Sequence, residues 1–246
     1  MAVFLSLAVP ARLPARWVER FLHGFLSLGR RHKVTLAGGD TAESPAVAKA
    51  SELIAADIVA VGQTPRGSAL LRSGARPGDR IYMTGTLGGA AAELALLEKS
   101  PRRFAGLTAA EPGHPHLYPV PRIAVGRRLR GFATAAIDVS DGLSTDLTHL
   151  CGASGVAASI DQAALPVDPL AQQGVDPIRL ALDGGEDYEL LFTAPPGTRV
   201  PRRIAGVPVC GIGVIQSRTR GSARITLRAG DDKEVALIAA GWEHFR

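Results

Sequence analysis

The apolar and polar positions predict strands and helices that alternate along the chain. Residues 3–9 form a short apolar run, which is typical of a buried strand. Behind Pro14, residues up to about 31 place apolar side chains at helical spacing, and proline is tolerated in the first turn of such a helix. The same criteria predict further strands at 34–37, 52–61, 80–84, 134–137, 157–160, 188–193, 207–215 and 223–227. They predict further helices at 90–97, 123–130, 143–150 and 178–182.

A polar segment with proline and glycine, Gln63–Ser68, interrupts this pattern and predicts a domain boundary. A chain of 246 residues is long enough for one large domain or two modest ones. We therefore divide it into domains 1–64 and 65–246. Strands and helices occur in both parts, so the predicted fold class is α/β (α+β).

Composition narrows the class of protein. The chain is 46% hydrophobic and 21% charged, as in a soluble globular protein, and no apolar run reaches the length of a membrane span. Met1–Pro10 lacks a basic n-region, so we predict a cytoplasmic protein without a secretion signal. The net charge of +5 comes from scattered arginines, and only 5% of residues are aromatic, so a nucleic-acid surface is weakly supported. Cys151 and Cys210 are interpreted as buried thiols in a reducing compartment.

Carboxylates gather at one predicted junction between a strand and a helix. Asp138 ends the strand, Ser140 and Asp141 are predicted to cap the helix, and Gly142 allows another group to approach the backbone. Two carboxylates and a hydroxyl so close together suit Mg²⁺, which binds through one or two carboxylates and substrate phosphates. A capped helix after a tight turn explains the same residues without an ion.

Two other stretches repeat this arrangement and favour the cation. Gly38–Thr41 places Asp40 and a hydroxyl after a strand, and Asp183–Asp187 places Glu186 and a second acid before one. Carboxylates brought together raise one another's pKa unless a cation intervenes. A Mg²⁺–polyphosphate complex resolves this conflict, as in phosphoryl transfer.

Other candidate sites are weaker. Arg72 and the turn Gly85–Gly89 are candidates to hold phosphates. The turn matches neither of the common glycine-rich nucleotide motifs, however, and is explained equally well as a tight turn. His114 and His116 lack a third metal ligand and are interpreted as exposed loop histidines. A hydrolase with paired acids fits less well, because no aromatic sugar platform is present, and G-x-S-x-G is absent from the sequence.

Seven stretches, in the same order, resemble those of the thiamine-monophosphate kinase family. This family belongs to a superfamily with aminoimidazole ribonucleotide synthetase, selenophosphate synthetase and the hydrogenase maturation factor HypE. The stretches are 36–41 (LAGGDT), 71–79 (LRSGARPGD), 81–86 (IYMTGT), 116–122 (HLYPVPR), 136–143 (AIDVSDGL), 183–190 (DGGEDYEL) and 241–245 (GWEHF). They cover nearly the whole chain, and the last two are more particular to this family than to its superfamily.

The resemblance implies a PurM-like architecture of two domains. Residues 1–64 would be part of an ATP-binding and dimerisation domain, and 65–246 a C-terminal α+β domain with a mixed sheet flanked by helices. The implied reaction is direct in-line transfer of the γ-phosphoryl group of ATP to thiamine monophosphate, with Mg²⁺, giving thiamine diphosphate. No protein nucleophile is then expected. The resemblance to the full-length members of the family also implies a homodimer.

The resemblance also implies roles for individual residues. A carboxylate and an aromatic ring suit the cationic thiazolium of the substrate. The implied contacts are Gly39, Asp40, Arg72 and Ser140 for ATP, Asp40, Asp138 and Asp141 for Mg²⁺, and Glu186 and Trp242 for thiamine monophosphate.

The chain departs from the family in lacking its N-terminal segment, which carries a Gly-Asp-Asp motif, further Mg²⁺ ligands and dimer-forming strands. We therefore expect an incomplete first domain, impaired activity and an exposed sheet edge at Val3–Val9. Two alternatives stay open: a superfamily enzyme with another substrate, and a non-catalytic remnant that binds nucleotide.

Overall fold

The computed structural model describes residues 1–44, 53–106, 113–221, 224–230 and 233–242. Contacts within these ranges divide the chain into two units, Met1–Ser68 and Ala69–Arg246. Strands and helices occur in both units, so the predicted α/β (α+β) class is confirmed. None of the described helices is both long enough and apolar enough to cross a bilayer.

The N-terminal unit contains one helix and a three-stranded sheet. Its elements are β1 (Ala2–Val9), α1 (Ala15–His32), β2 (Thr35–Glu43) and β3 (Ala55–Val61). The predicted helical face is present, because Trp17 stacks on Phe21 and Phe21 stacks on Phe25. Three basic residues occupy the last turn of α1, where the helix dipole favours positive charge.

The first strand lies in the middle of this sheet, so the expected exposed edge at Val3–Val9 is wrong. β1 pairs in parallel with β2 on one side and antiparallel with β3 on the other. Val3, Leu5 and Leu7 are accordingly buried. The expectation assumed that strands outside this chain were needed to cover β1, whereas β3 of the same unit occupies that side.

β2 is longer than its apolar pattern predicts, because it continues through two glycines and beyond. Asp40 therefore lies within the strand, opposite Ser6, and not at its end. Gly39 permits this pairing, since a side chain there would overlap the main chain of Leu5. β3 begins later than predicted: residue 52 lies outside the described residues, and 53–54 are irregular.

The C-terminal unit contains a larger sheet and four helices among its described residues. Its helices are α2 (Gly89–Lys99), α3 (Ile123–Leu129), α4 (Leu143–Ser154) and α5 (Pro177–Asp183). Its strands are β4 (Arg80–Thr84), β5 (Ala135–Val139), β6 (Ala157–Asp161), β7 (Glu189–Ala194), β8 (Arg203–Ile204), β9 (Val207–Gln216), β10 (Ile225–Arg228) and β11 (Glu234–Ala236). The sequence pattern did not predict β8 and β11, because two or three residues are too few for a period to be recognised.

The strands of this unit form a mixed sheet in the order β11-β10-β6-β9-β4-β7-β5, with β8 paired to β9. Neighbouring strands are antiparallel except β6 and β10, which are parallel. Both faces are covered. Ile81 of β4 packs in one cluster with Leu147 of α4 and Leu182 of α5, while Tyr82 packs in a second cluster with Leu129 of α3. The predicted mixed sheet flanked by helices is thus confirmed.

Candidate functional site

The predicted junction between strand and helix lies between β5 and α4. Asp138 is exposed within β5, and the half-buried Ser140 and Asp141 form, with Gly142, the β5–α4 loop (residues 140–142). The predicted capping role of Ser140 and Asp141 is wrong, since Gly142 is the N-cap residue of α4 and no side chain caps the helix there. Gly142 has a φ of 107°, which glycine adopts more readily than other residues.

Asp146, which the sequence analysis overlooked, holds this loop from the first turn of α4. The residue is 2% exposed. Its Oδ2 atom accepts hydrogen bonds from the amides of Ser140 (3.1 Å) and Asp141 (3.0 Å). Burial raises the pKa of the Asp146 carboxyl to about 6, and the charges of Asp141 and Asp138 act in the same direction. An acidic residue in the turn after the predicted Mg²⁺ motif was the available signal.

Asp141, Asp146 and His149 form a group that is able to hold a cation. One carboxylate or imidazole atom from each lies within 4.8 Å of the others. Carboxylate oxygens are the ligands that Mg²⁺ prefers, while imidazole suits transition metals better. The two aspartates of this group, with Asp138 adding to the same negative field, therefore fit a hard divalent cation.

A second segment, residues 183–188, crosses the β5–α4 loop. The amide of Glu186 donates to the carbonyl of Ser140 (2.7 Å), and the amide of Tyr188 donates to that of Val139 (2.8 Å). Glu186 and Tyr188 have φ angles of 58° and 49°. This left-handed conformation costs roughly 1–2 kcal/mol per non-glycine residue, and such strain concentrates at functional sites. The side chain of Glu186 is 52% exposed and so open to a ligand.

The segment 240–242, near the C-terminus, contacts the same loop. The amide of Trp242 donates to the carbonyl of Asp141 (2.9 Å), and the amide of Ala240 reaches Ser144 Oγ at 3.3 Å. Gly241 lies so close to the carbonyl of Asp141 that a side chain there would overlap it. The structure therefore brings Glu186 and Trp242 to the loop that carries Ser140 and Asp141, although Glu186 and Trp242 come from other parts of the sequence.

Arg72 is not part of this group. Its side chain is exposed, and its carbonyl accepts a hydrogen bond from Ser154 Oγ (2.7 Å) at the C-terminal end of α4. The β5–α4 loop lies at the other end of that helix, roughly 18 Å away for twelve residues. The structure therefore does not bring Arg72 together with Asp141. Gly39 and Asp40 belong to the N-terminal unit.

The turn Gly85–Gly89 does not offer the free anion site considered for it. The amide of Gly88 donates to Oδ2 of Asp187 (2.7 Å), and the amide of Ala90 donates to Oδ1 (3.3 Å). The side-chain carboxyl of Asp187 thus already accepts the amides that an anion at the N-terminal end of α2 would need. Asp187 lies far away in the sequence, so the local motif gave no signal of it.

The ionisation of Asp187 is expected to make stability depend on pH. Burial raises its pKa from 3.8 to about 7. Between these values the folded chain retains a proton that the unfolded chain has lost. The free energy of unfolding therefore falls as pH rises from about 4 to 7, by on the order of 4 kcal/mol from this group.

Urea unfolding of the wild type and Asp187→Asn at several pH values measures this contribution. Asparagine does not ionise in this range, and its carbonyl can keep the bond from Gly88. The difference in free energy of unfolding between the two proteins should change across pH 4–7 and be constant above pH 8. A difference that is independent of pH would show that Asp187 keeps an ordinary pKa.

Glu93 organises the loop that contains His114 and His116. It is 1% exposed on α2, and its Oε2 atom accepts hydrogen bonds from the amides of His116 (2.7 Å) and Leu117 (3.2 Å). Its Oε1 atom contacts His114 Nδ1. The side chains of both histidines are only 20% exposed. Their interpretation as exposed loop residues is therefore wrong, because a buried carboxylate of α2 draws the loop inward.

Comparison of the sequence and the structure with known proteins identifies the family of this chain. The profile of the AIR synthase related protein, C-terminal domain family matches residues 76–226. Thiamine-monophosphate kinase of Escherichia coli (strain K12) is 38% identical, over 98% of this chain and 72% of the relative. The corresponding protein of Bacillus subtilis (strain 168) is 31% identical, over 98% of this chain and 74% of the relative.

Solved structures agree. AaThiL complexed with AMPPCP and TMP superposes with a TM-score of 0.78 at 31% identity, over 99% of this chain and 73% of that chain. Thiamine-monophosphate kinase from Stenotrophomonas maltophilia K279a gives a TM-score of 0.73 at 34% identity, over 92% of this chain and 71% of that chain. HypE of E. coli, at 17% identity and a TM-score of 0.74, shares the fold, with 100% of this chain and 74% of that chain covered. The chain therefore belongs to the thiamine-monophosphate kinase family.

Proposed function

We propose that this chain catalyses the ATP-dependent phosphorylation of thiamine monophosphate to thiamine diphosphate. The observation that carries the proposal is that the amides of Glu186 and Trp242 donate to one loop, at Ser140 and Asp141 respectively. Such a site offers oxygen ligands for a cation beside a carboxylate and an aromatic ring for an acceptor. The family to which the chain belongs supports the reaction, as does the similar structure of AaThiL, a complex with AMPPCP, an ATP analogue, and TMP.

On the nucleotide side, Asp138 and Asp141 would hold Mg²⁺, and the Ser140 hydroxyl would contact ATP. Arg72, at the far end of α4, would bind phosphates, while Gly39 and Asp40 of the N-terminal unit have ATP and Mg²⁺ roles proposed from the family resemblance. Bound Mg²⁺ would neutralise charge on the phosphates during transfer.

The main chain of Ser140 and Asp141, fixed by Asp146, keeps these ligands in place before the ion arrives.

On the acceptor side, Glu186 and Trp242 would recognise thiamine monophosphate. The side chain of Glu186 is 52% exposed and Trp242 is 64% exposed, so both present surface to a ligand. A carboxylate and an indole face both attract the cationic thiazolium ring. Transfer would be direct and in line between ATP and the substrate phosphate, so the protein supplies positioning and charge and no nucleophile.

The test is an assay for ADP and thiamine diphosphate formed by the wild type and Asp138→Ala. Loss of this ligand is expected to lower kcat/KM by about 10³-fold, because it removes several kcal/mol of charge stabilisation. Since Asp138 is exposed, the free energy of unfolding without ligand should change by about 0.5 kcal/mol or less. Glu98→Ala, which removes an exposed carboxylate on α2, is the matched control and should retain wild-type kinetics.

Two other outcomes would contradict the proposal in different ways. Turnover of ATP with another acceptor, in a panel that includes selenide and carbamoyl compounds, would identify a superfamily enzyme with a different substrate. A rise in melting temperature with Mg-ATP but no turnover would identify a nucleotide-binding chain without catalysis.

We further propose that the protein acts in the cytoplasm and forms a homodimer, as the family resemblance implies. Light scattering of the purified chain measures the second point directly, and a monomer at micromolar concentration would contradict it.

A further inference from the structure

The loop 114–118 is fixed by its main chain and not by exposed side chains. Two of its amides donate to the buried Glu93, and the amide of Tyr118 donates to the carbonyl of His114 (2.8 Å). A buried carboxylate without donors would be costly, so these bonds are difficult to break. The Cα atom of His116 is therefore held at a defined place beside α2.

From this place the His116 imidazole reaches Glu186. Its Nδ1 atom lies 2.8 Å from Glu186 Oε2. The ring is not aligned to donate, however, so Nδ1 is a buried polar atom without a hydrogen-bond partner among the described residues. An unsatisfied buried donor is unfavourable. A small rotation of the half-exposed Glu186 side chain would complete the bond, and His116 therefore favours one orientation of that carboxylate.

The backbone of Glu186 leaves few alternatives. Its φ of 58° and the hydrogen bond from its amide to Ser140 fix where the side chain begins. One carboxylate oxygen then faces His116, and the other remains for a ligand. When Glu186 is held in this way, a cationic acceptor beside it pairs with the fixed carboxylate. A neutral acceptor leaves the carboxylate without a counter-charge, so the site favours the cationic one.

On the basis of the function proposed above, we propose that His116 is a positioning residue that aligns Glu186 with the acceptor. The series of contacts from Glu93 through His116 to Glu186 would then determine the preference for acceptors that carry a cationic heteroaromatic ring. Neither His116 nor Glu93 would touch the reacting phosphates.

Three substitutions at position 116 test the proposal by steady-state kinetics. Asparagine places an amide N–H close to the position of Nδ1, whereas glutamine places it near Nε2 and alanine removes the donor. We expect His116→Ala and His116→Gln to raise the KM for thiamine monophosphate about tenfold. His116→Asn should stay within about threefold of the wild type, and the KM for ATP should be unchanged in all three.

Specificity is measured with 3-deazathiamine monophosphate, in which a neutral ring replaces the thiazolium. The ratio of kcat/KM for thiamine monophosphate to that for the neutral analogue should fall about tenfold in His116→Ala and be retained in His116→Asn. Equal losses in the alanine and asparagine variants, or a parallel rise in the KM for ATP, would show a merely structural role and overturn the proposal.

A spectroscopic measurement keeps the inference separate from the proposed function. In ¹⁵N NMR of the ligand-free chain, His116 should carry a proton on Nδ1, and Glu186→Gln should shift that signal while Glu98→Gln should not. The same signal in wild type and Glu186→Gln would refute the contact. An Nδ1 signal that shifts, in a chain that makes no thiamine diphosphate, would refute the proposed function and leave the positioning of Glu186 supported.

Discussion

Replacing Arg122 with alanine is expected to lower the free energy of unfolding of the C-terminal unit by about 3–5 kcal/mol. Arg122 donates from Nε to Glu189 Oε2 (2.8 Å) and from Nη2 to Oε1. Glu189 is 4% exposed, and in the variant its remaining donor among the described side chains is Thr84 Oγ1, at 2.6 Å. The substitution thus leaves a buried carboxylate without its counter-charge.

Urea unfolding followed by circular dichroism measures this loss. Arg127→Ala, exposed on α3, of which Arg122 is the N-cap residue, is the control and should change stability by about 0.5 kcal/mol or less. Adding Glu189→Gln to Arg122→Ala should recover part of the loss, because it removes the uncompensated charge. If Arg122→Ala cost no more than the control, water would be solvating Glu189 in place of the arginine.

Replacing Asp146 with alanine is expected to lower kcat/KM about 100-fold in the proposed reaction. Oδ2 of Asp146 accepts hydrogen bonds from the amides of Ser140 and Asp141. Without it, the loop that carries the proposed Mg²⁺ ligand is free to move, and a shift of about 1 Å in a reacting group can cost 100-fold. Supporting residues behind metal ligands have effects of about 10–100-fold on metal affinity or activity.

Asp146→Asn separates the two ways in which this residue can act. A single oxygen, Oδ2, accepts both amides, so the carbonyl of asparagine is able to replace it. Kinetics at increasing Mg²⁺ with saturating ATP should show near-wild-type behaviour for Asp146→Asn and a raised Mg²⁺ requirement for Asp146→Ala. If both variants were equally impaired, the charge of Asp146 would be needed, as in a direct ligand of the cation.

Local patterns predicted the parts of this molecule that depend on neighbours in the sequence. The apolar run before Asp138 and the helical spacing after Leu143 place a junction there, because burial on one face imposes the period of each element. The same pattern predicted Ser140 and Asp141 as capping residues, whereas the N-cap residue of α4 is Gly142. A cap depends on backbone dihedral angles, which residue type indicates only on average.

Contacts between distant segments were not predictable in this way. Asp187 occupies the turn at Gly88 from 99 residues away, and Glu93 reaches His116 from another element. Asp40 was assigned to the end of a strand, because glycines usually interrupt strands and the close approach of Leu5 leaves no trace in the local pattern. The pattern of acids grouped Glu186 with Asp141, whereas the contact of Trp242 with the same loop was expected only through the family resemblance.

The order of strands in the larger sheet also has a consequence for synthesis of the chain. β4 is the first strand of its unit to leave the ribosome, yet it lies between β7 and β9. Neither of its edges can be paired until residues 189–194 and 207–216 have been made. Such non-local pairing slows folding, because the chain loses the entropy of a long loop before the stabilising contacts between the strands form. β4 therefore stays unpaired at least until β7 has been synthesised, and completion of this sheet is a late event in the folding of the protein.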